Sequence, residues 1–233
     1  SEWIEAVAAE LAGLPNVRLM PRTTVFGSYD HGVFGAVERV GDHMPAPRGV
    51  RQTLWRITTR RSVLAAGALE RHIPFAGNDR PGIMLAGAMR AYANRWAVSP
   101  QATPADRVAI FTSTDDGHRT ARDLVAHGVP LLGVIDPRED APRFGDYHVF
   151  RGAVVSGAKG RRALSSIEIT RDGRSEWLEC AALGVSGGWN PNHALASHHR
   201  GRPVWSEAHL AFLPPAELPS GMSVAGAAAG QGT

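Results

Sequence analysis

"DRVAIFTSTDDGHRTARDLVAHGVPLLGVIDPR", Asp106–Arg138, is the stretch whose reading decides the fold. An apolar strand over 107–112 leads into a helix over 117–127, Gly128 caps that helix, and a second apolar strand occupies 129–135. Strand, crossover helix and strand within about 30 residues make a parallel βαβ unit, normally right-handed and part of a sheet covered on both faces. The fold class is therefore α/β.

Such a unit with an acid closing its second strand is the frame of a dinucleotide site, in which Asp136 would hold a ribose hydroxyl. The frame is only half of the signal. Where Gly-x-Gly-x-x-Gly should lie between strand and helix, the chain has Thr112-Ser113-Thr114-Asp115-Asp116-Gly117. A pyrophosphate needs bare backbone at the helix N-terminus, and two aspartates there repel it. The reading favoured is a structural Rossmann-like module without a nucleotide. "GVSGGW" and "GAAAGQG" contain glycines, but neither stands between a strand and a long helix.

Outward from this unit the pattern stays regular. "EWIEAVAAELAGL", 2–14, sets Trp3, Ile4, Val7, Leu11 and Leu14 on one helical face. "NVRLMPRTTVFGSYD" alternates as one or two strands, and Gly32 and Gly35 punctuate a hairpin through "HGVFGAVERV". "TLWRITTRRSVLAAGA" adds a pair of strands or a bent one, and a helix is expected from Met84 to Ala97. "YHVFRGAVV" and "SSIEIT" read as strands, the latter turned at Asp172-Gly173 into "SEWLECAALGVSGG". No repeat or low-complexity linker appears, so domain junctions are expected as tight crossings near 70–80 and 186–192.

Composition excludes several classes. The 233 residues are 43% hydrophobic, no apolar run approaches a membrane span, and no signal-peptide pattern opens the chain, which reads as cytoplasmic with no membrane partner. Cys180 is the single cysteine, which excludes internal disulfides and Cys-x-x-Cys sites, and its apolar context reads as a buried thiol. Only Lys159 among 25 basic residues is a lysine, yet a net charge of +3 with arginines scattered among acids argues against nucleic acid. His193, His198 and His199 cluster with Asn190 and Asn192 but lack a carboxylate or cysteine at ligand spacing, so hydrogen bonding at the surface is expected rather than a metal site. No nucleophile, base and orienting acid can be assigned, and no catalytic residue is expected in the chain.

Three further motifs carry a resemblance. "RSVLAAGA", Arg61–Ala68, resembles the Val-Leu-Ala-Thr-Gly-Ala strand by which flavoprotein disulfide reductases leave their first nucleotide domain, with Ala66 in place of threonine. "GVSGGWNPN", Gly184–Asn192, resembles their Gly-Arg-x-Pro-Asn return from the second domain. "VAGAAAG", Val224–Gly230, stands where a strand and Gly-Asp turn cover the cofactor, with Ala227 where the acid would be. Within that superfamily "LERHIPFAGNDRPGIMLAGAMRAY", "SGGWNPNHAL" and "VWSEAHLAFLP" are similar to the alpha subunits of heterotetrameric sarcosine oxidases.

The resemblance implies two Rossmann-like nucleotide-binding domains of disulfide-reductase type, the first incomplete and interrupted by the second. Residues 1–72 and 192–233 would belong to an FAD/NAD-binding domain lacking its first βαβ, and 73–191 to the inserted domain. A chain opening on Ser1 and lacking that unit is expected to be a fragment, inactive alone. The implied activity of the whole complex is oxidative demethylation of sarcosine to glycine with transfer of the methyl carbon to tetrahydrofolate. FAD and FMN serve that complex, with beta, gamma and delta subunits as partners. In the alpha subunit NAD would fill the first pocket, and its covering residues would be Ala65, Ala66, Gly67, Ala68, Gly226, Ala227 and Gly230. Small side chains at Ala65–Ala68 then let the adenosine half approach, although Gly67-Ala68 could instead simply turn the chain between domains. A subunit of an opine or proline dehydrogenase or cyanide synthase, or a non-catalytic scaffold, are the alternatives.

Overall fold

The computed structural model describes residues 2–46, 49–100 and 106–232; Ser1 and Thr233, the ends of the expected first domain, lie outside them. Helix α1 (Glu2–Ala12) opens the chain. Strands β1 (Thr23–Tyr29), β2 (Val33–Arg39) and β3 (Gln52–Thr58) follow, then the short strands β4 (Ser62–Leu64), β5 (Ala68–Glu70) and β6 (Ile83–Leu85). Next come α2 (Ala86–Trp96), β7 (Val108–Thr112), α3 (Asp115–Ala126), β8 (Leu131–Asp136) and β9 (Val149–Arg151). Strands β10 (Val154–Lys159), β11 (Ser166–Arg171), β12 (Arg174–Glu179), β13 (Ala182–Ser186) and β14 (Trp189–Pro191) precede the last three, β15 (Val204–Ser206), β16 (Ala211–Leu213) and β17 (Met222–Val224). The chain divides into two compact units, one of residues up to Gly67 with Pro191–Gly232, the other Ala68–Asn190.

The second unit is built on a five-stranded parallel sheet of order β6-β13-β7-β8-β9. Strands buried on both faces read as continuous apolar runs, and β7 and β13 are buried at every position. Alternation sorts their side chains between two cores. Val108, Ile110 and Ala182 pack with Met89 of α2 and Leu124 of α3, whereas Phe111, Leu183 and Val185 pack with Ile167 and Ile169 of the antiparallel β10-β11-β12 sheet. The β11–β12 hairpin turns at Asp172-Gly173, both at positive φ (50° and 73°). Met84 and Leu85, expected to start a helix, instead belong to β6, because a three-residue apolar strand leading into a helix has no periodicity of its own.

In the first unit β1, β2 and β3 form an antiparallel sheet. Its first turn is the 3-10 turn Asp30–Gly32, as Gly32 suggested, but Gly35 lies inside β2. Gly35 is small because a Cβ there would come 2.6 Å from the Phe26 ring across the sheet. The helix expected at 2–14 is present as α1, yet it buries no residue; Trp3 is 74% exposed, so the apolar face the spacing creates stays open among the described residues. No helix among the described residues is long and apolar enough to cross a membrane.

Candidate functional site

The residues singled out in the sequence meet where β4 and β17, 160 residues apart in the chain, pair in parallel. Ser62, Val63 and Leu64 register with Met222, Ser223 and Val224, and the ladder runs past both ends through Ser62 N–H to Gly221 O (2.9 Å) and Ala225 N–H to Leu64 O (3.0 Å). Beyond it lie Ala65, Ala66 and Gly67 on one side and a 3-10 turn over Gly226–Ala229 on the other. Asn192 N–H donates to Gly67 O at 2.9 Å, so Pro191-Asn192 is tied to the same corner.

Gly67 and Gly226 have φ of 70° and 64°, a region that disfavours any Cβ, and an added Cβ at either would meet nothing within 4 Å. The backbone turn therefore requires glycine, while the space around it is open. Ala65 and Ala66 are exposed and Ala227 is half-buried. Ala68 begins β5 and falls in the second unit. Gly230 differs: it is buried, and a Cβ there would come 2.6 Å from Leu213, so its smallness serves packing within the chain. None of these seven residues carries a charge or a side-chain hydrogen-bonding group, so these residues could meet a phosphate only through backbone N–H groups.

The βαβ unit gives a different result. Asp136, the expected ribose ligand, has no exposed surface and is already bonded. His118 Nε2 lies 2.9 Å from its Oδ2, Arg138 Nη2 donates to the same oxygen at 2.8 Å, and Arg138 N–H donates to Oδ1 at 2.9 Å. Arg138 Nη1 also reaches Asp115 Oδ1, at 2.8 Å, linking the strand end to the first turn of α3. Tyr147 closes the group, its hydroxyl 3.3 Å from His118 Nδ1 and donating to His118 O at 3.2 Å. Burial alone would raise the Asp136 pKa, but the bonds from His118 and Arg138 outweigh it and hold the carboxyl below its ordinary range. The guanidinium of Arg138 is in turn held in its charged form by Asp136 and Asp115.

Asp115 and Asp116 lie in the first turn of α3, where the helix dipole favours acids, and Asp116 is 3.7 Å from Arg90. Gly117 is needed for a packing reason, since a Cβ on it would overlap the Thr112 side chain at the end of β7. The sequence pointed to the acids; it did not point to His118 or Arg138 as their partners. The one available signal was an arginine two residues after a strand-terminal aspartate.

Cys180 is buried, and desolvation pushes its thiol up to about 12, so it is no nucleophile at neutral pH. The histidines are engaged as hydrogen-bonding groups, as the sequence suggested. Ser28 N–H donates to His198 Nδ1 at 3.2 Å, Ser28 Oγ is 3.1 Å from His199 Nε2, and His199 Nδ1 is 3.3 Å from Asp30 Oδ1. Ser28 and His199 lie 171 residues apart in the chain, so no local motif brings them together.

No protein-family model matches the chain. Over 98% of its length it is 48% identical to the sarcosine oxidase subunit alpha of Rhizobium meliloti (strain 1021), and over 99% it is 34% identical to that of Corynebacterium sp. (strain U-96). These matches cover 23% and 25% of the relatives, so the chain spans about a quarter of the curated proteins it resembles. Among solved structures, L-proline dehydrogenase from P. horikoshii superposes with a TM-score of 0.67 at 20% identity, covering 96% of this chain and 40% of that one. Thioredoxin reductase from T. acidophilum gives 0.66 at 11% identity, with 100% and 73% covered. At these identities the likeness establishes a shared mixed α/β fold with a parallel sheet.

Proposed function

We propose, on the premise that over the stretch it spans this chain belongs to the sarcosine oxidase alpha-subunit family, that it forms a dinucleotide-facing, non-redox part of a flavoprotein oxidoreductase complex. In this reading 1–72 and 192–233 are two parts of one FAD/NAD-binding domain, interrupted by 73–191. NAD lies against Ala65, Ala66 and Gly67 and against Gly226 and Ala227. FAD, FMN and tetrahydrofolate are held elsewhere in a complex with beta, gamma and delta subunits, which converts sarcosine to glycine. The observation that carries this reading is the parallel pairing of β4 with β17, which ends on both sides in small residues beside open space. A two-stranded parallel sheet is not stable by itself, so its partly exposed strands are read as the core of a larger sheet completed by the full-length polypeptide.

The test is titration calorimetry of NAD with the full-length subunit and its Ala66→Leu variant. Ala66 is exposed and not at positive φ, so the larger side chain blocks contact without straining the backbone. Affinity is expected to fall at least tenfold, about 1.4 kcal/mol, with an unchanged melting temperature. Unaltered affinity would overturn the assignment of this corner. The 233-residue chain alone is expected to bind NAD more weakly than micromolar and to give no peroxide from sarcosine.

For the inserted residues 73–191 we read a structural role, because Arg138 and Asp115 fill with their own ion pair the position at the sheet's C-terminal end where a nucleotide would sit.

A further inference from the structure

We propose that Ser28, His199 and Asp30 form a serine-nucleophile site for small carboxylic esters, independent of any dinucleotide. The three groups stand in the order such chemistry needs. The Asp30 carboxylate lies 3.3 Å from His199 Nδ1 and favours the tautomer with the proton on that nitrogen, which leaves the Nε2 lone pair facing Ser28 Oγ, 3.1 Å away. A third contact positions the serine: its backbone N–H donates to His198 Nδ1 at 3.2 Å, so neighbouring histidines hold both the main chain and the hydroxyl.

The local fold explains how strand residues come to face histidines from the far end of the chain. A register irregularity between Val25 and Gly27 re-aims the end of β1, and both Gly27 and Ser28 are buried after it. Asp30 lies just past the strand, at the start of a turn in which His31 takes a left-handed conformation, φ 60°.

A cavity of about 460 Å³ opens on these groups, lined by Ser28, Asp30 and His199 together with Phe34, Met222 and Arg60. That volume is near the lower end for small-molecule sites and suits an acyl group of a few carbons against Phe34 and Met222. Ser28 Oγ attacks the ester carbonyl carbon as its proton passes to His199 Nε2. The bond from that carbon to the alcohol oxygen breaks, and the leaving alkoxide takes the proton. Water then adds to the acyl-serine, giving its proton to His199, which returns it to Ser28 Oγ as the carboxylic acid departs.

Asp30 is 89% exposed, so water competes for His199 Nδ1 and the carboxylate acts as a positioning residue of modest effect. The experiment treats the full-length subunit, without sarcosine or NAD, with an alkyl fluorophosphonate and follows adduct formation by peptide mass spectrometry, alongside p-nitrophenyl acetate hydrolysis. The adduct is expected on Ser28, with Ser28→Ala abolishing both signals and His199→Gln lowering both by at least about a hundredfold. Asp30→Asn is expected to slow labelling about tenfold without altering the probe concentration that half-saturates it, and Asp30→Glu to recover most of the rate. Folding of each variant is followed by circular dichroism. Absence of a Ser28 adduct in the folded wild-type subunit, or labelling of His199→Gln at the wild-type rate, would overturn the proposal.

Discussion

His118 Nε2 lies 2.9 Å from Asp136 Oδ2, and neither side chain has any surface in contact with solvent. A buried carboxylate is tolerable only when its oxygens are filled, and here His118 and Arg138 fill them. The same bonds that satisfy Asp136 remove it from any part in holding a ligand.

Replacing Asp136 with leucine would leave His118 and Arg138 without their acceptor. Losing one partner of a buried ionic group costs about 3–5 kcal/mol. Urea unfolding of Asp136→Leu should show a loss of that order, whereas Asp115→Ala, which removes only the half-exposed end of the network, should cost under about 1 kcal/mol.

The pH dependence has a defined sign. The Asp136 carboxyl is held below its ordinary value of 3.8 in the folded protein, so the unfolded chain binds its proton more readily. Its contribution to stability is fully present above about pH 4–5 and is lost as pH falls through the depressed folded value. Acid unfolding of the wild type should therefore contain a step below about pH 4 that is reduced in Asp136→Asn.

At the other end of the scale, the Cys180 thiol is raised from 9.0 to about 12 by burial. It should remain unmodified by a thiol-exchange reagent at pH 8 in the native protein and react fully once unfolded. Because the folded value is raised, the stability linked to the neutral thiol is present below pH 9 and lost as pH rises toward 12.

Asp115→Gly/Asp116→Gly restores glycine to the βα turn. If this unit holds no nucleotide, NAD affinity of the full-length subunit, read by calorimetry, should be unchanged, while thermal stability falls modestly through loss of the Arg138 and Arg90 pairs and the cost of glycine in the first turn of α3. A several-fold change in affinity would place the dinucleotide at this turn instead.

A methyl group at Gly117 tests helix docking separately. Gly117→Ala would drive a Cβ into Thr112, which is fully buried, and should destabilise by about 1–3 kcal/mol in denaturant titration.

What the sequence determined by itself was the local architecture, because the signals involved act over a few residues. The apolar runs of β7 and β8 around α3, with Gly128 at φ 75°, are periodicity and cap chemistry, and the Asp172-Gly173 hairpin is turn chemistry. The α1 pattern likewise produced a helix, but not a buried one, since periodicity specifies a face and not what covers it. Motif order, through resemblance, suggested that the chain's two ends belong together; the register of Ser62 on Met222 is a hydrogen-bonding fact of the fold. Tertiary structure alone decided the role of polar residues. Asp136 looked like a ligand from its place at a strand end, and became a buried, fully hydrogen-bonded group when helix α3 carried His118 over it. Ser28, Asp30 and His199 showed no common motif, because polar contacts depend on a separation of about 3 Å in space and on no distance along the chain.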